Sequence, residues 1–178
     1  MKGTIVKCLE ELVVTQFGKD KWEQSLKDIG LSTSTIIWPM SDITDAQVMG
    51  LVEAVCKNLD ITLVQAADAF GDYWVNVYSQ KMYPLYYKRN ATARDFLLDM
   101  DNVHVEMTRS MEKARPPRFD YEWKDDRTLI MHYKSHRSLV DFVVGLARGV
   151  GRYYKEDIQV TKLGPDKVQI VFAQVGAE

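Results

Sequence analysis

The periodicity of the apolar residues changes at Pro116-Pro117, and this change constrains the fold more than any other feature. Before the two prolines, apolar residues recur at spacings of three and four, as on one face of an α-helix. After them, residues 129–135 alternate in polarity, as a β-strand does when one of its faces is buried. A chain that is helical first and then mixes strands with helix is predicted to have an α+β fold.

The same periodicities predict the individual elements. Helices are expected over residues 2–17, 19–29, about 44–58, about 62–82, 92–111 and 138–154. Asp42 or Thr44 is the candidate N-cap of the third helix, and Asp60 or Thr62 that of the fourth. Strands are expected over residues 118–123, 129–135, 158–163 and 167–172, the last two joined by a turn at 164–166. The sheet is therefore small, antiparallel and about four-stranded.

Length and composition are those of one globular domain that contains a sizeable core. The chain has 178 residues, of which 46% are hydrophobic, and a net charge of −2 that offers no general attraction for nucleic acid. Its two cysteines, Cys8 and Cys56, make neither a disulfide framework nor a metal-binding pair. The start has no signal-peptide pattern, and no stretch of about 18 apolar residues occurs. A cytoplasmic location is expected.

No pattern typical of an enzyme is present. The chain lacks Gly-x-Ser-x-Gly, a phosphate-binding loop, His-Glu-x-x-His and Cys-x-x-Cys. Gly145, Gly149 and Gly151 resemble part of a glycine-rich loop, but no strand leads into them, and close helix packing explains them better. Gly71, in the middle of the fourth helix, also indicates a close approach to the backbone. We expect a binding protein and not an enzyme.

A group of hydrogen-bond donors is predicted at the end of the second strand. Strand alternation places Tyr133, Ser135 and Arg137 on the same face as Leu129 and Met131. A phenol, a hydroxyl and a guanidinium beside an apolar row suit carboxylates carried by a flat hydrophobic ligand. A strand end with an ordinary surface ion pair has the same pattern, so the spacing alone leaves both interpretations open.

His104 differs from the other two histidines because its helical neighbours are apolar. Met100, Val103, Met107 and Met111 lie on or beside its face of the fifth helix. Such a histidine is most often a core residue with one hydrogen bond. Neutral imidazole is also a common ligand of haem iron, and flexible methionines pack well against a large flat group. The residues alone leave both interpretations open, a core histidine and a haem ligand.

Together these residues resemble the haem-nitric oxide/oxygen binding (H-NOX) family, which is related to the haem domain of soluble guanylate cyclase. The family's Tyr-x-Ser-x-Arg signature is matched by Tyr133, Ser135 and Arg137, with His104 at the position of the axial histidine. A Pro-Pro-x-Phe-like segment lies between them at residues 116–119, and the opening residues 1–6 also look like the family's start. The resemblance covers essentially the whole chain.

The resemblance implies a cofactor and roles for the residues around it. His104 would be the proximal ligand of a b-type haem, and Tyr133, Ser135 and Arg137 would bind the haem propionates. Pro116 would press on the haem plane from one side, with Ile5 against it from the other. Residues 1–63 would form a helical distal lobe and residues 64–178 a proximal α+β lobe, with haem clamped between them.

The family's distal pocket decides which gas is bound. Oxygen-binding members carry a distal tyrosine five residues after the motif's arginine, and this chain has Phe142 there. Two supporting positions of those members align with Leu9 and Trp74, of which Trp74 retains an N–H donor. Leu146 and Tyr78 would complete an apolar pocket. The resemblance therefore implies a sensor that binds NO and CO and excludes O₂.

Signalling would follow from cleavage or weakening of the iron–His104 bond, which moves the helix that carries His104. The partner would be a histidine kinase, a cyclic-dinucleotide enzyme or a chemotaxis-receptor module. The alternatives are an O₂-binding member of the same family and a haem-free module for another planar carboxylate. A haem enzyme such as a peroxidase is a third, for which the expected pocket is too apolar.

Overall fold

In the computed structural model, which describes residues 1–112 and 114–173, the chain divides into two units with the boundary after Ala66. Each unit contains its own set of packed elements. The structure mixes helices with one four-stranded antiparallel sheet, which confirms the predicted α+β class. No helix in the described ranges combines the length and apolarity needed to cross a bilayer.

Glycine and capping residues delimit the helices of the first unit. Helix α1 spans Gly3–Phe17 and ends at Gly18, whose φ of 97° is unfavourable for residues with a side chain. Helix α2 follows at Lys19–Asp28, and α3 spans Asp45–Leu59. The N-cap of α3 is Thr44 and not Asp42, because Thr44 and Gln47 form a reciprocal capping box. The buried apolar residues of the three helices include Val6, Leu12, Trp22, Leu26, Leu51 and Val55.

The predicted helix over residues 62–82 is continuous but contains a change of geometry. It comprises α4 (Leu63–Tyr73), a π-helical segment (Trp74–Tyr78) and α5 (Ser79–Met82). Thr62 is the cap, since its hydroxyl accepts from the Gln65 N–H at 3.2 Å while the Gln65 side chain accepts from the Thr62 N–H at 2.8 Å. The periodicity did not predict the π-helical segment, because one extra residue barely alters an apolar pattern.

Two helices precede the sheet. Helix α6 (Pro84–Lys88) starts with proline at its first turn, where the missing N–H costs nothing. No helix is predicted from the sequence for this tyrosine-rich stretch. Helix α7 (Ala93–Thr108) is capped by Thr92 and ends three residues before the predicted end at 111. Its buried residues, Ala93, Phe96, Leu97 and Val103, lie mainly in the first half.

The sheet has the strand order β1-β2-β4-β3, with all pairs antiparallel. Its strands are β1 (Arg118–Trp123), β2 (Thr128–Lys134), β3 (Ile158–Lys162) and β4 (Lys167–Phe172). Helix α8 (Val140–Tyr154) follows β2 and contributes to the core formed with the sheet. One expectation was wrong: β2 ends at Lys134, so strand alternation does not place Ser135 and Arg137.

Glycines bring the α4–π segment and α8 into backbone contact. A Cβ on Gly71 would lie 2.1 Å from the Gly145 carbonyl carbon, and one on Gly145 would lie 2.1 Å from the Ala67 carbonyl oxygen. A Cβ on Gly149 would lie 2.6 Å from the Gly71 oxygen. The expectation that close helix packing explains Gly71, Gly145 and Gly149 is confirmed.

Candidate functional site

His104 lies on α7, next to the last buried residue of that helix. Its Nδ1 is 3.0 Å from the Met100 carbonyl oxygen, one helical turn earlier. Because a carbonyl only accepts, Nδ1 carries the hydrogen, and the lone pair of the neutral ring is then on Nε2. Burial lowers the pKa of His104, against the opposing effect of the Met100 carbonyl. The imidazole is therefore neutral at pH 7, with Nε2 in the form that binds a metal.

An aromatic column connects His104 with the predicted donor group. The His104 and Phe119 rings have centroids 5.7 Å apart, and the Phe119 and Tyr133 rings are 5.9 Å apart. Phe119 and Tyr133 are direct partners across the β1–β2 pair, which fixes their rings on the same face of the sheet. The structure thus brings together a helix residue and a strand residue that are 29 positions apart (133 − 104).

Ser135 and Arg137 follow β2 in a turn. The Arg137 N–H donates to the Ser135 hydroxyl at 3.3 Å, and its guanidinium Nη1 donates to the Arg115 carbonyl at 2.7 Å. Ser138, with a φ of 53°, then directs the chain into α8. Tyr133 is 6% exposed, yet its phenol makes no hydrogen bond within residues 1–112 and 114–173. A turn and not a continuous strand therefore places the two donors beyond Tyr133.

Asp101 ties α7 to β1 one turn before His104, a contact that was not predicted from the sequence. Its two carboxylate oxygens accept from Arg118 at 2.7 and 2.6 Å, and the Phe119 N–H donates to it at 2.9 Å. Arg118 lowers the pKa of Asp101 despite the opposing effect of burial. Burial raises the pKa of Tyr121, whose hydroxyl accepts from the Asp101 N–H, to about 12. In the sequence, the one feature that could have indicated this contact is an acidic residue three positions before His104.

The residues predicted for the distal pocket form an aromatic wall. Trp74 stacks between Phe70 and Tyr78, with centroid distances of 5.9 and 5.5 Å. Phe142, in the first turn of α8, meets Phe70 edge-on at 5.5 Å. Phe70 was not predicted as part of the pocket, although it precedes Trp74 by one helical turn. Phe142 is partly exposed, while Tyr78 is buried.

The other predicted residues are distributed over both units. Leu146 lies on α8, one turn after Phe142, and is half-buried. Pro116 is half-buried in the segment that leads into β1. Ile5 and Leu9 lie on α1 in the first unit, with Leu9 buried and Ile5 partly buried. The second unit thus holds all the predicted site residues except these two.

Comparison with known proteins decides the family. Residues 2–162 match the family model described as haem-NO-binding. The chain belongs to this family. A similar solved structure is an oxygen-binding H-NOX domain related to soluble guanylate cyclases, in its oxygen complex, with a TM-score of 0.82 and 27% identity, covering 98% of this chain and 96% of that one. An H-NOX variant from T. tengcongensis has a TM-score of 0.83 and 26% identity over 98% of both chains.

The curated relatives are longer proteins. The soluble guanylate cyclase gcy-32 of Caenorhabditis elegans is 27% identical over 170 residues, which cover 92% of this chain and 25% of that protein. The soluble guanylate cyclase gcy-35 of the same organism is 26% identical over 156 residues, covering 85% of this chain and 23% of that protein. The chain therefore spans about a quarter of the length of these relatives. The matched part corresponds to the haem-binding sensor module.

The residues of the second unit are chemically suited to the family's cofactor. His104 offers a neutral nitrogen on a partly apolar helix face, and its tautomer is fixed by the Met100 carbonyl. Tyr133 is a buried residue that carries a phenol, a hydrogen-bond donor suited to a carboxylate. Phe70, Trp74 and Phe142 supply the apolar surface that a porphyrin needs.

Proposed function

We propose that this chain binds ferrous haem b through His104 and senses NO, binds CO as well, and excludes O₂. The observation that carries this proposal is the neutral, hydrogen-bonded imidazole of His104, at the foot of the column that leads to Tyr133. When bound, the haem supplies the open iron position at which a diatomic gas binds. The chain's own residues supply the axial ligand, the anchors and the pocket.

Tyr133, Ser135 and Arg137 would hold the haem propionates. The Ser135 hydroxyl accepts one hydrogen bond from the Arg137 N–H, which leaves its own O–H to donate. The Arg137 guanidinium is a planar group of N–H donors that suits a carboxylate, and its Nη1 donates to the Arg115 carbonyl. Each hydrogen bond to a carboxylate contributes about 1.5–3 kcal/mol. This set fits two carboxylates at one edge of an apolar ligand.

The distal wall supports selection against O₂. Bound O₂ accepts a hydrogen bond much better than NO does, so a pocket that lacks donors disfavours it. Phe142 and Leu146 carry no donor, and losing one donor to a charged acceptor costs about 1.5–3 kcal/mol, roughly 10- to 150-fold in affinity. The Trp74 indole N–H and the Tyr78 hydroxyl are donors in the same wall and support the second candidate, an O₂-binding sensor. The Trp74 ring stacks against Phe70 and Tyr78, which constrains where its N–H can point.

Strand geometry refines the assignment of the proline that contacts the haem. Phe119 faces His104, and residues two apart in an extended chain share a face. Pro117 directly precedes β1, and an extended backbone at that position would place it on the His104 side with Phe119, and Pro116 on the side of Arg118. The resemblance pointed to Pro116. We assign the haem contact to Pro117 on this register.

The signal would pass through α7. His104 would hold the haem, whose gas-binding chemistry would loosen that hold, and α7 would then adopt a second position that a partner protein reads. Candidate partners are a histidine kinase, a cyclic-dinucleotide enzyme, a chemotaxis-receptor module or a cyclase resembling the relatives named above. The sensor would act without catalysis of its own and in the cytoplasm.

Absorption spectra of the reduced protein test this function, recorded first without oxygen, then in air and then with NO. We expect a Soret band that air leaves unchanged and that NO shifts to the position of a complex without its histidine ligand. His104→Gly should bind haem only weakly unless imidazole is added, whereas His132→Gly, a change at a histidine outside the site, should behave as wild type. A stable O₂ complex would favour the second candidate, and no Soret band after haem addition would refute both.

A further inference from the structure

Helix α7 is anchored unequally on the two sides of His104. Its first half is held by the core through Phe96 and Leu97, and Val103 is its last buried residue. Beyond His104, Val105 and Glu106 are exposed. Within the described ranges, one polar contact ties residues 105–108 to another element, and it runs from Glu106 to Arg89.

Arg89 spans both halves of this helix. It is the C-terminal cap residue of α6, and its Nε and Nη2 lie 2.8 and 2.7 Å from Asp99 Oδ2, in the first half of α7. Its Nη1 lies 2.7 Å from Glu106 Oε2, seven residues further along the same helix face. The guanidinium also lies over the Tyr86 ring, with 5.0 Å between its Cζ and the ring centroid.

Asp99 provides the fixed end of this arrangement. Besides Arg89, it accepts from Asn90 Nδ2 at 3.1 Å and from Asn102 Nδ2 at 3.3 Å. Its side chain is 20% exposed, whereas that of Glu106 is 51% exposed. The Arg89–Glu106 ion pair is therefore weaker than the Arg89–Asp99 ion pair, and it can break while Asp99 keeps Arg89 in place.

We propose that Arg89 and Glu106 form a latch that restrains the half of α7 after His104 and so sets how readily His104 leaves its ligand. Arg89 is a positioning residue in this role, because it acts on His104 only through the helix. The part of the proposal that concerns His104 release rests on the proposed haem function. The restraint of the C-terminal half of α7 by Arg89 and Glu106 is independent of that function.

The expected effect is modest and local. Exposed ion pairs stabilise by an amount that corresponds to a change of about 1.4- to 5-fold in an equilibrium constant. Opening the latch should therefore raise the population of the displaced helix end by about this factor. The core residues of the first half of α7 should keep their protection.

Amide hydrogen exchange of the haem-reconstituted protein tests the latch directly. Glu106→Gln, which keeps the shape and removes the charge, should speed exchange about 1.4- to 5-fold at residues 105–108 and leave residues 96–100 unchanged. Glu23→Gln is the matched control, because Glu23 pairs with Lys19 at 2.9 Å on α2. In an Arg89→Ala background, Glu106→Gln should have no further effect. Unchanged exchange, or equal acceleration along all of α7, would overturn the latch.

The spectrum of the NO-treated protein tests the link to His104. Glu106→Gln should raise the ratio of histidine-released to histidine-bound complex by the same factor of about 1.4 to 5, and Glu23→Gln should not. Faster exchange with an unchanged ratio would overturn the positioning role. If the wild-type protein takes up no haem, the proposed function fails, and the exchange data alone decide whether the latch exists.

Discussion

Replacing Gly145 by alanine should separate the two helices that carry the distal residues. The added Cβ would lie 2.1 Å from the Ala67 carbonyl oxygen and 2.6 Å from its carbon. This is roughly 1.4 Å short of the ~3.5 Å at which non-bonded heavy atoms attract each other. Because the obstacle is backbone, no side-chain rotation can relieve the clash, and α8 must move away from the α4–π segment.

The cost should lie near the upper end of the range for overpacking, about 3 kcal/mol. For a chain of this length, about 2–4 °C of melting temperature is lost per kcal/mol, so Tm should fall by roughly 6–12 °C. The same displacement moves Phe142 and Leu146, which flank position 145 on α8, away from Phe70. We therefore also expect gas affinity to change in the haem-loaded protein.

Thermal and urea unfolding of Gly145→Ala and Gly164→Ala provide the test. Gly164 lies in the β3–β4 turn, where an added Cβ would have no other atom within 4 Å, so its substitution should be nearly neutral. Equal stability of the two variants would refute the backbone contact at Gly145. It would also refute the explanation of Gly71, Gly145 and Gly149 by close helix packing. A large loss of stability in Gly164→Ala would instead show that the β3–β4 turn, and not helix packing, limits stability.

Three further changes test the site. Phe142→Tyr should raise O₂ affinity about 10- to 150-fold through one new donor, measured by O₂ titration of the ferrous protein, with Phe142→Leu as the apolar control. Pro117→Ala should shift the haem spectrum more than Pro116→Ala, and the reverse order would restore the assignment to Pro116. Asp101→Asn should destabilise the fold at pH 7, because the folded-state pKa of Asp101 is lowered by Arg118. A carboxyl group with a lowered pKa stabilises the folded state at pH values above its unfolded pKa of about 3.9, and this stabilisation is lost as the pH falls and the group is protonated. The difference in free energy of unfolding between wild type and Asp101→Asn, measured in urea, should therefore shrink between about pH 5 and pH 2.

The elements that local chemistry specifies were predictable from the sequence. Gly18 ends α1, and Thr44 and Thr62 cap the next helices through side-chain bonds to residues three positions on. The β3–β4 hairpin was predicted at its turn for the same reason. Such signals act over a few residues, so a single sequence contains all of the information.

Features that depend on distant partners were less accessible. The π-helical segment is held where Gln80 Nε2 and Asn76 Nδ2 donate to backbone oxygens, the latter to Gly149 on α8 at 3.2 Å. The end of β2 depends on its partners β1 and β4, so alternation alone extended the strand by one residue too many. The role of Asp101 in tying α7 to β1 could be recognised only from the structure, which places Arg118 opposite it.

The two anchors of α7 differ in a way that determines how this helix can respond. Asp101, one turn before His104, is held by a bidentate guanidinium and a backbone N–H, whereas Glu106, after it, has the single exposed arm of Arg89. The Asp101 side chain is 19% exposed, whereas that of Glu106 is 51% exposed, so water screens the Glu106 contact more strongly. Breaking the one Arg89 contact of Glu106 should cost less free energy than breaking the three contacts of Asp101, so the helix should move at its C-terminal half and pivot near Asp101.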